Sequence, residues 1–415
     1  MGFRRGFRLF RTTMSGEKIY EGVFAVHKPQ GVTSADVIRT LQHHFNPSKL
    51  FKPWLDEERA RRNRESSYQR NRRRSRRLDV KIGHGGTLDP LATGVLVTGV
   101  GKGTKNLNDF LGCTKTYETV VLFGAETDTY DKLGKIVRRA PYEHITREVV
   151  EKALEQFRGK IMQRPPIFSA LKVQGKKLYE YAREGKEPPI EIQSRPVEVS
   201  DLRILEWYEP GTHEYEWPKE EAAGEEKEVA ERLLAKDDTL PVASSVETEV
   251  PAEDSGEKEA STATKRKTPP PAEEPTKDDV DAPSSTDAEL APTAAKKQKI
   301  TANGDSAPAQ AEPSSGSSGL ATTPANEPSQ PPAVKITMTV SSGFYVRSLA
   351  HDLGKALGSC GLMSSLIRTR QADFELESDK VLEYKDLEAG EDVWGPKVKR
   401  FLEEWEKKRA ETNTE

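Results

Sequence analysis

Across residues 81–105 the chain reads KIGHGGTLDPLATGVLVTGVGKGTK, a stretch with seven glycines and a single carboxylate, Asp89. Glycine weakens regular structure unless the backbone must take positive φ or be approached closely, so this density calls for a site. A nucleotide-binding loop is the first reading, and it fails on spacing. Gly101-Lys102 is followed by Gly103 instead of Ser or Thr, position 96 is Leu where the first P-loop glycine belongs, and Gly99, Gly101 and Gly103 do not complete GxGxxG. What remains is a tight loop presenting Asp89 ahead of Pro90 and the apolar run 95–100. An ionised carboxylate there is a nucleophile; Asp-Pro is also an ordinary turn. Other chemistries find no pattern. His27, His43, His44, His84, His144, His213 and His351 show no HExxH or Cys/His ligand spacing, a GxSxG elbow is absent, and the second carboxylate of a retaining glycosidase cannot be located.

The elements that must position this loop mix both types. Residues 23–26 and 117–123 are β-rich, and 95–100 is an apolar strand. Ser34 is placed as the N-cap of a helix carrying Val37, Ile38, Leu41 and Phe45. Thr146 caps a second helix with Val149, Val150, Ala153, Leu154 and Phe157 on one face, closed by Gly159. Further helices are expected at 176–184, at 346–357 ending at Gly358, and over 390–415 around Val398, Phe401, Leu402 and Trp405. Strands and helices alternate without regular βαβ spacing, so the fold class is α+β rather than doubly wound.

The chain has 415 residues, 34% hydrophobic and 32% charged, too polar for uniform burial. Residues 211–330 hold 12 Lys/Arg against 26 Asp/Glu, and no Phe, Tyr or Trp occurs in 218–333. Such a segment cannot offset its ordering entropy; only 225–236 has the pattern of a marginal helix. Because 197–207 and 335–341 both alternate like strands, it reads as a long disordered insertion between two strands of one domain. A second charged excursion, 59–77, has ten Arg and one Glu, the composition of a nucleic-acid contact or of a targeting segment. Two cysteines exclude a disulfide framework and a four-thiolate zinc site, and no apolar run is long enough for a membrane span.

The run His84-Gly85-Gly86-Thr87-Leu88-Asp89-Pro90-Leu91-Ala92-Thr93-Gly94 resembles the signature of the TruB family of tRNA pseudouridine synthases, which modify uridine 55 in the T loop. Four further blocks match in the family's order: the KPQGVTS run from Lys28 to Ser34, the segments from Lys115-Thr116-Tyr117 through Thr129 and from Pro165-Pro166 through Lys172, and Ser342-Gly343-Phe344-Tyr345-Val346-Arg347. The resemblance implies a pseudouridine synthase fold, a mixed and mainly antiparallel sheet flanked by helices. It implies Asp89 as nucleophile and Arg347 as its partner, able to hold it bidentately. It places Tyr117 against the extruded uracil, with Tyr345 and Leu366 on the other side of the pocket, residues that would otherwise read as core. His84 would enter the T loop in place of the flipped base; the alternative is a buried, hydrogen-bonded imidazole. Lys28 and Pro29 would support the catalytic loop. No metal or cofactor is implied.

The organisation expected is a possible targeting leader at 1–18, a catalytic domain at 20–209 and 333–389, an Arg-rich insertion at 51–80, an acidic insertion at 210–332 and a C-terminal helix at 390–415. The chain ends about 45 residues after Arg370, too soon for the C-terminal RNA-binding domain of many relatives, which favours a stand-alone tRNA enzyme. A monomer is expected, with the tRNA T stem-loop as partner and other RNAs bearing a T-loop-like hairpin as further candidates. The alternatives are a tRNA-binding folding chaperone with incidental modification and a guide-RNA-dependent rRNA pseudouridylase subunit. Four arginines and no acid in residues 1–16, with Met14 as an alternative start, resemble a mitochondrial presequence. Residues 265–267 and 296–299 resemble nuclear import patches.

Overall fold

The computed structural model describes residues 12, 16–232 and 330–412, apart from residues 67, 70–76, 167, 170, 185, 187–188, 191, 225–226 and 229. Most of the expected leader, the middle of the Arg-rich run, most of the marginal helix at 225–236 and the insertion from 233 to 329 lie outside the described residues.

In chain order the strands are β1 (Gly22–Lys28), β2 (Ile82–His84), β3 (Thr93–Val100), β4 (Lys115–Phe123), β5 (Ala125–Thr127), β6 (Ile136–Arg139), β7 (Gly159–Gln163), β8 (Lys172–Val173), β9 (Lys176–Lys177), β10 (Arg195–Tyr208), β11 (Ala333–Val340), β12 (Gly361–Gln371), β13 (Phe374–Glu375) and β14 (Val381–Glu383). The helices are α1 (Ser34–Phe45), α2 (Lys52–Asn63), α3 (Leu107–Gly112), α4 (Arg147–Leu154), α5 (Leu178–Arg183), α6 (Val346–Ala356) and α7 (Glu391–Thr412). Ten strands form one sheet, ordered β14-β1-β3-β12-β4-β11-β10-β7, with β2 paired to β3 and β13 to β12. Only the β1–β14 and β3–β12 pairings are parallel. The fold is α+β, as the irregular alternation of elements indicates. No helix among the described residues is long and apolar enough to cross a membrane.

Strand alternation sends side chains to two faces. Phe24 and Val26 of β1, Leu96 of β3 and Val121 and Phe123 of β4 enter the main core beneath α1, α2, α4, α6 and α7, while Val23, Ala25, Val95 and Val97 pack on the other side with Phe110 of α3. Phe45 centres the first face, stacked on Phe51 at 4.5 Å between ring centroids and tilted against Trp394 of α7 at 4.8 Å.

Three sequence expectations change in detail. Thr33, not Ser34, caps α1: its side chain accepts from Asp36 N, and the Asp36 carboxylate accepts in turn from the Thr33 amide. The α4 helix ends at Leu154 and passes through one 3₁₀ turn before Gly159. The Arg-rich insertion opens as a docked helix, α2, whose Phe51, Trp54 and Leu55 are buried in the core; spacings of three and four put these on one side.

β10 and β11 are antiparallel neighbours, with Tyr208 opposite Ala333. Residues 209–332 therefore interrupt a hairpin. The first part of that insertion is packed: Trp217 Nε1 donates to Phe123 O at 2.8 Å, Gln330 Nε2 donates to Tyr215 O at 3.0 Å, and Ala222 is buried with its amide on Ile136 O. The aromatic residues Tyr215 and Trp217 supply the apolar area that the following sequence lacks.

Candidate active site

The loop carrying Asp89 joins β2 to β3, and side chains from distant elements hold almost every carbonyl in it. Gln371 Nε2 donates to Gly85 O at 2.6 Å. Arg368 donates to Gly86 O, Thr87 O and, through Nε at 2.7 Å, Val95 O. Ser34 Oγ donates to Leu88 O and accepts from Leu88 N. Lys28 Nζ reaches Ala92 O at 2.5 Å and Pro90 O at 3.5 Å, and Gly31 N donates to Pro90 O at 2.8 Å. At Gly94, φ is +104° and any Cβ would strike the backbone of Arg368, so only glycine lets β3 leave the loop this closely against β12.

Asp89 is about one-third exposed, at 34% of its side-chain surface, whereas Arg347 opposite it is 7% exposed. Arg347 Nε lies 2.9 Å from Asp89 Oδ2. The pairing is single and not bidentate, because the other two guanidinium nitrogens are engaged elsewhere: Nη1 donates to Thr129 O at 3.1 Å and Nη2 to Phe168 O at 2.9 Å. A second carboxylate, buried Asp131, stands 3.9 Å from the same Nε. Burial pushes the Asp131 carboxyl upward, against the opposing influences of Arg347 and of hydrogen bonds from Thr129 and the Leu133 amide. Arg347 is thus fixed on all sides by groups that leave Asp89 as its only solvent-facing carboxylate among the described residues.

Tyr117 on β4 and Leu366 on β12 are buried in one apolar cluster with Val346, next to Arg347 in sequence. Tyr345 immediately precedes α6; its amide and carbonyl are both clasped by the buried Gln163 side chain, and Arg195 lies over its ring at 4.7 Å. His84 ends β2 at the entrance of the Asp89 loop, partly buried, and burial with the nearby Arg368 lowers its pKa below the usual imidazole value, favouring the neutral ring. Burial likewise lowers Lys28 to about 8, with Arg368 acting in the same direction and Asp89 against it.

Sequence reasoning missed Arg368, Gln371 and Asp131. Arg368 and Gln371 sit in an ordinary-looking strand more than 270 residues from the loop they hold. Asp131 did carry a signal, since it lies two residues beyond the block ending at Thr129.

A one-third-exposed carboxylate paired with a buried arginine, on a loop whose carbonyls are held by Lys28, Ser34, Arg368 and Gln371, is a group able to act as a nucleophile. The comparisons name the class. The TruB family pseudouridylate synthase (N terminal domain) profile matches residues 72–220. The tRNA pseudouridine synthase 4 of Schizosaccharomyces pombe is 38% identical over 376 residues, covering 89% of this chain and 83% of that protein. The protein of the same name in Saccharomyces cerevisiae is 34% identical, with 92% and 85% covered. Mouse pseudouridylate synthase TRUB1 is 41% identical over 190 residues, 46% of this chain and 51% of that protein. The chain belongs to the TruB family of pseudouridine synthases, and is therefore an isomerase.

Proposed function

We propose that this protein converts uridine 55 in the T loop of tRNA to pseudouridine, with Asp89 as nucleophile. The observation that carries the reading is the 2.9 Å pairing of Asp89 with Arg347 in a loop braced from four sides; the relatives named tRNA pseudouridine synthase 4 support the substrate class. Asp89 attacks the target nucleotide as the bond from ribose C1′ to uracil N1 breaks. The freed base turns and rejoins through C5, the Asp89 carboxylate leaving as the new C1′–C5 bond forms; C5 then gives up its proton while N1 acquires one, so the product is an isomer of the substrate. Tyr117 and Leu366 offer apolar surface to a base removed from its stack, and a neutral His84 can fill the gap that base leaves. Arg347 holds the carboxylate in place throughout.

The test is a T stem-loop transcript with Asp89→Asn and Asp89→Ala: isomerisation is lost while RNA binding persists, because phosphate contacts supply most affinity. Turnover by Asp89→Ala refutes the assignment. The folding-chaperone reading is separated by complementation, since only it expects full rescue by Asp89→Asn. We also propose that the protein acts as a monomer and has nuclear and mitochondrial pools, checked by sedimentation and by fractionating cells that express the Met1 and Met14 products separately.

A further inference from the structure

The Arg-rich insertion returns to the fold at a defined place. Its first end is α2, docked through Phe51, Trp54 and Leu55. Its second end is pinned to α1, where Asn46 donates to Asp79 Oδ1 at 2.9 Å and accepts from Val80 N at 2.8 Å, and Gln42 donates to Val80 O. Between the two ends lies an open cleft of about 340 Å³ lined by Arg61, Arg62, Arg77 and Lys81 together with Glu58 and Asp79.

Charge in this cleft is not balanced. Glu58 engages both Arg61 and Arg62, at 2.5 and 3.3 Å, Glu65 lies 3.8 Å from Arg61, and Asp79 lies 3.3 Å from Arg77. Lys81 is exposed and has no carboxylate partner among the described residues. Four cations against three carboxylates still leave an excess of positive charge, and the Arg77 side chain is 85% exposed. The acids orient the guanidinium groups without neutralising the cleft, and Arg77, held through Nε by Asp79 alone among the described residues, keeps further N–H donors for a phosphate. The residues joining the two ends, 70–76, lie outside the described residues and carry five more arginines in sequence.

Position gives the excess its meaning. Lys81 and Ile82 lead directly along β2 to His84. At roughly 3.3 Å rise per strand residue, Lys81 is about 10 Å from His84, close to one Debye length at physiological salt. We propose that this cleft binds the sugar-phosphate backbone of the substrate RNA beside the nucleotide that His84 meets, an RNA contact built by the insertion. This rests on the reading of the substrate as a tRNA stem-loop. A peptide-binding or import-receptor role for the same arginines is the competing outcome.

The experiment measures affinity of the full-length protein for a T stem-loop hairpin across a salt series. Arg61→Gln/Arg62→Gln/Arg77→Gln is expected to weaken binding about tenfold at low salt and to flatten the log–log salt dependence by about two, at roughly 0.7 to 0.9 per lost phosphate contact. Its binding curve should converge with that of the parent at high salt. Lys81→Gln, an exposed change that leaves α2 untouched, should flatten the slope by about one. Unchanged affinity and slope in both variants overturn the proposal, whether or not nuclear import is lost. Because binding is read without turnover, absent product with an altered slope would sink the reaction assigned above and leave the cleft intact; product with an unaltered slope would do the reverse.

Discussion

Ser34 and Leu88, 54 residues apart, exchange two hydrogen bonds: the Ser34 hydroxyl accepts from the Leu88 amide at 2.8 Å and donates to the Leu88 carbonyl at 3.1 Å. One side chain therefore satisfies both backbone groups of the residue before Asp89, and the first turn of α1 becomes part of the catalytic loop.

Replacing Ser34 with Ala leaves a buried N–H and C=O without their partner, a cost of about 1–3 kcal/mol. The expected result is a lower melting temperature and a fall in kcat on a T stem-loop larger than the change in RNA affinity, read by thermal denaturation and single-turnover kinetics. Ser34→Thr keeps the hydroxyl and should recover most of the rate.

Arg368 is almost fully buried and donates only to carbonyls of the loop and of β3. Arg368→Met removes these bonds at a cost on the order of 3 kcal/mol and frees the loop backbone. Hydrogen exchange of the Thr87 and Leu88 amides should accelerate, and Arg368→Lys should fail to restore it, because a point charge cannot reach three carbonyls at once.

Asp131 should show opposite effects on stability and turnover. Its folded-state pKa is raised, chiefly by burial, so the folded chain binds more protons than the unfolded one between the two values and loses stability as pH rises through that window. The ionised form is therefore a cost to the fold. Asp131→Asn is expected to raise the melting temperature at pH 7 while lowering kcat about tenfold or more, since Arg347 loses a carboxylate that helps aim it at Asp89. A variant that is both less stable and fully active would show that Asp131 only supports the loop.

Lys28 behaves in the opposite sense with pH. Burial depresses its pKa from 10.5 to about 8, so between those values the unfolded chain holds the extra proton and folding stability gains as pH rises. Lys28→Met should abolish that gain in urea titrations run from pH 8 to pH 10, and should also loosen the turn after Asp89, whose carbonyls Lys28 holds.

Deleting the aromatic anchor of α2 should separate packing from charge. Phe51 is fully buried and stacked on Phe45, so Phe51→Ala should cost about 3–5 kcal/mol, measured by chemical denaturation. Arg59→Gln on the exposed side of the same helix should stay within about 0.5 kcal/mol of the parent.

What could be read from the chain was local. The glycine density around Asp89 and the strand patterns on either side of the acidic insertion are contiguous signals, and both correspond to features of the fold. The supports of the loop are not contiguous: Arg368 and Gln371 come from β12, and no spacing connects them to Gly85 or Gly86. Ser34 reads in the sequence as a cap, because hydroxyl residues before a helix serve that role so often, whereas its hydroxyl holds Leu88. The α2 helix was hidden by arginines, although Phe51, Trp54 and Leu55 already stood at helical spacing. The packed root of the acidic insertion was similarly readable in Tyr215 and Trp217, the last aromatic residues before the sequence turns polar.

Tyr208 and Ala333 face each other across two paired strands, so the backbone enters and leaves the intervening 124 residues at essentially one point. For a flexible loop each doubling of length costs only about 0.6 kcal/mol, which makes this hairpin tip an internal docking port where sequence can be added, lost or exchanged with little thermodynamic consequence for the sheet. For the same reason a fluorescent reporter or an affinity handle inserted at this tip, beyond the packed residues up to Ala222, should leave the register of β10 and β11 intact.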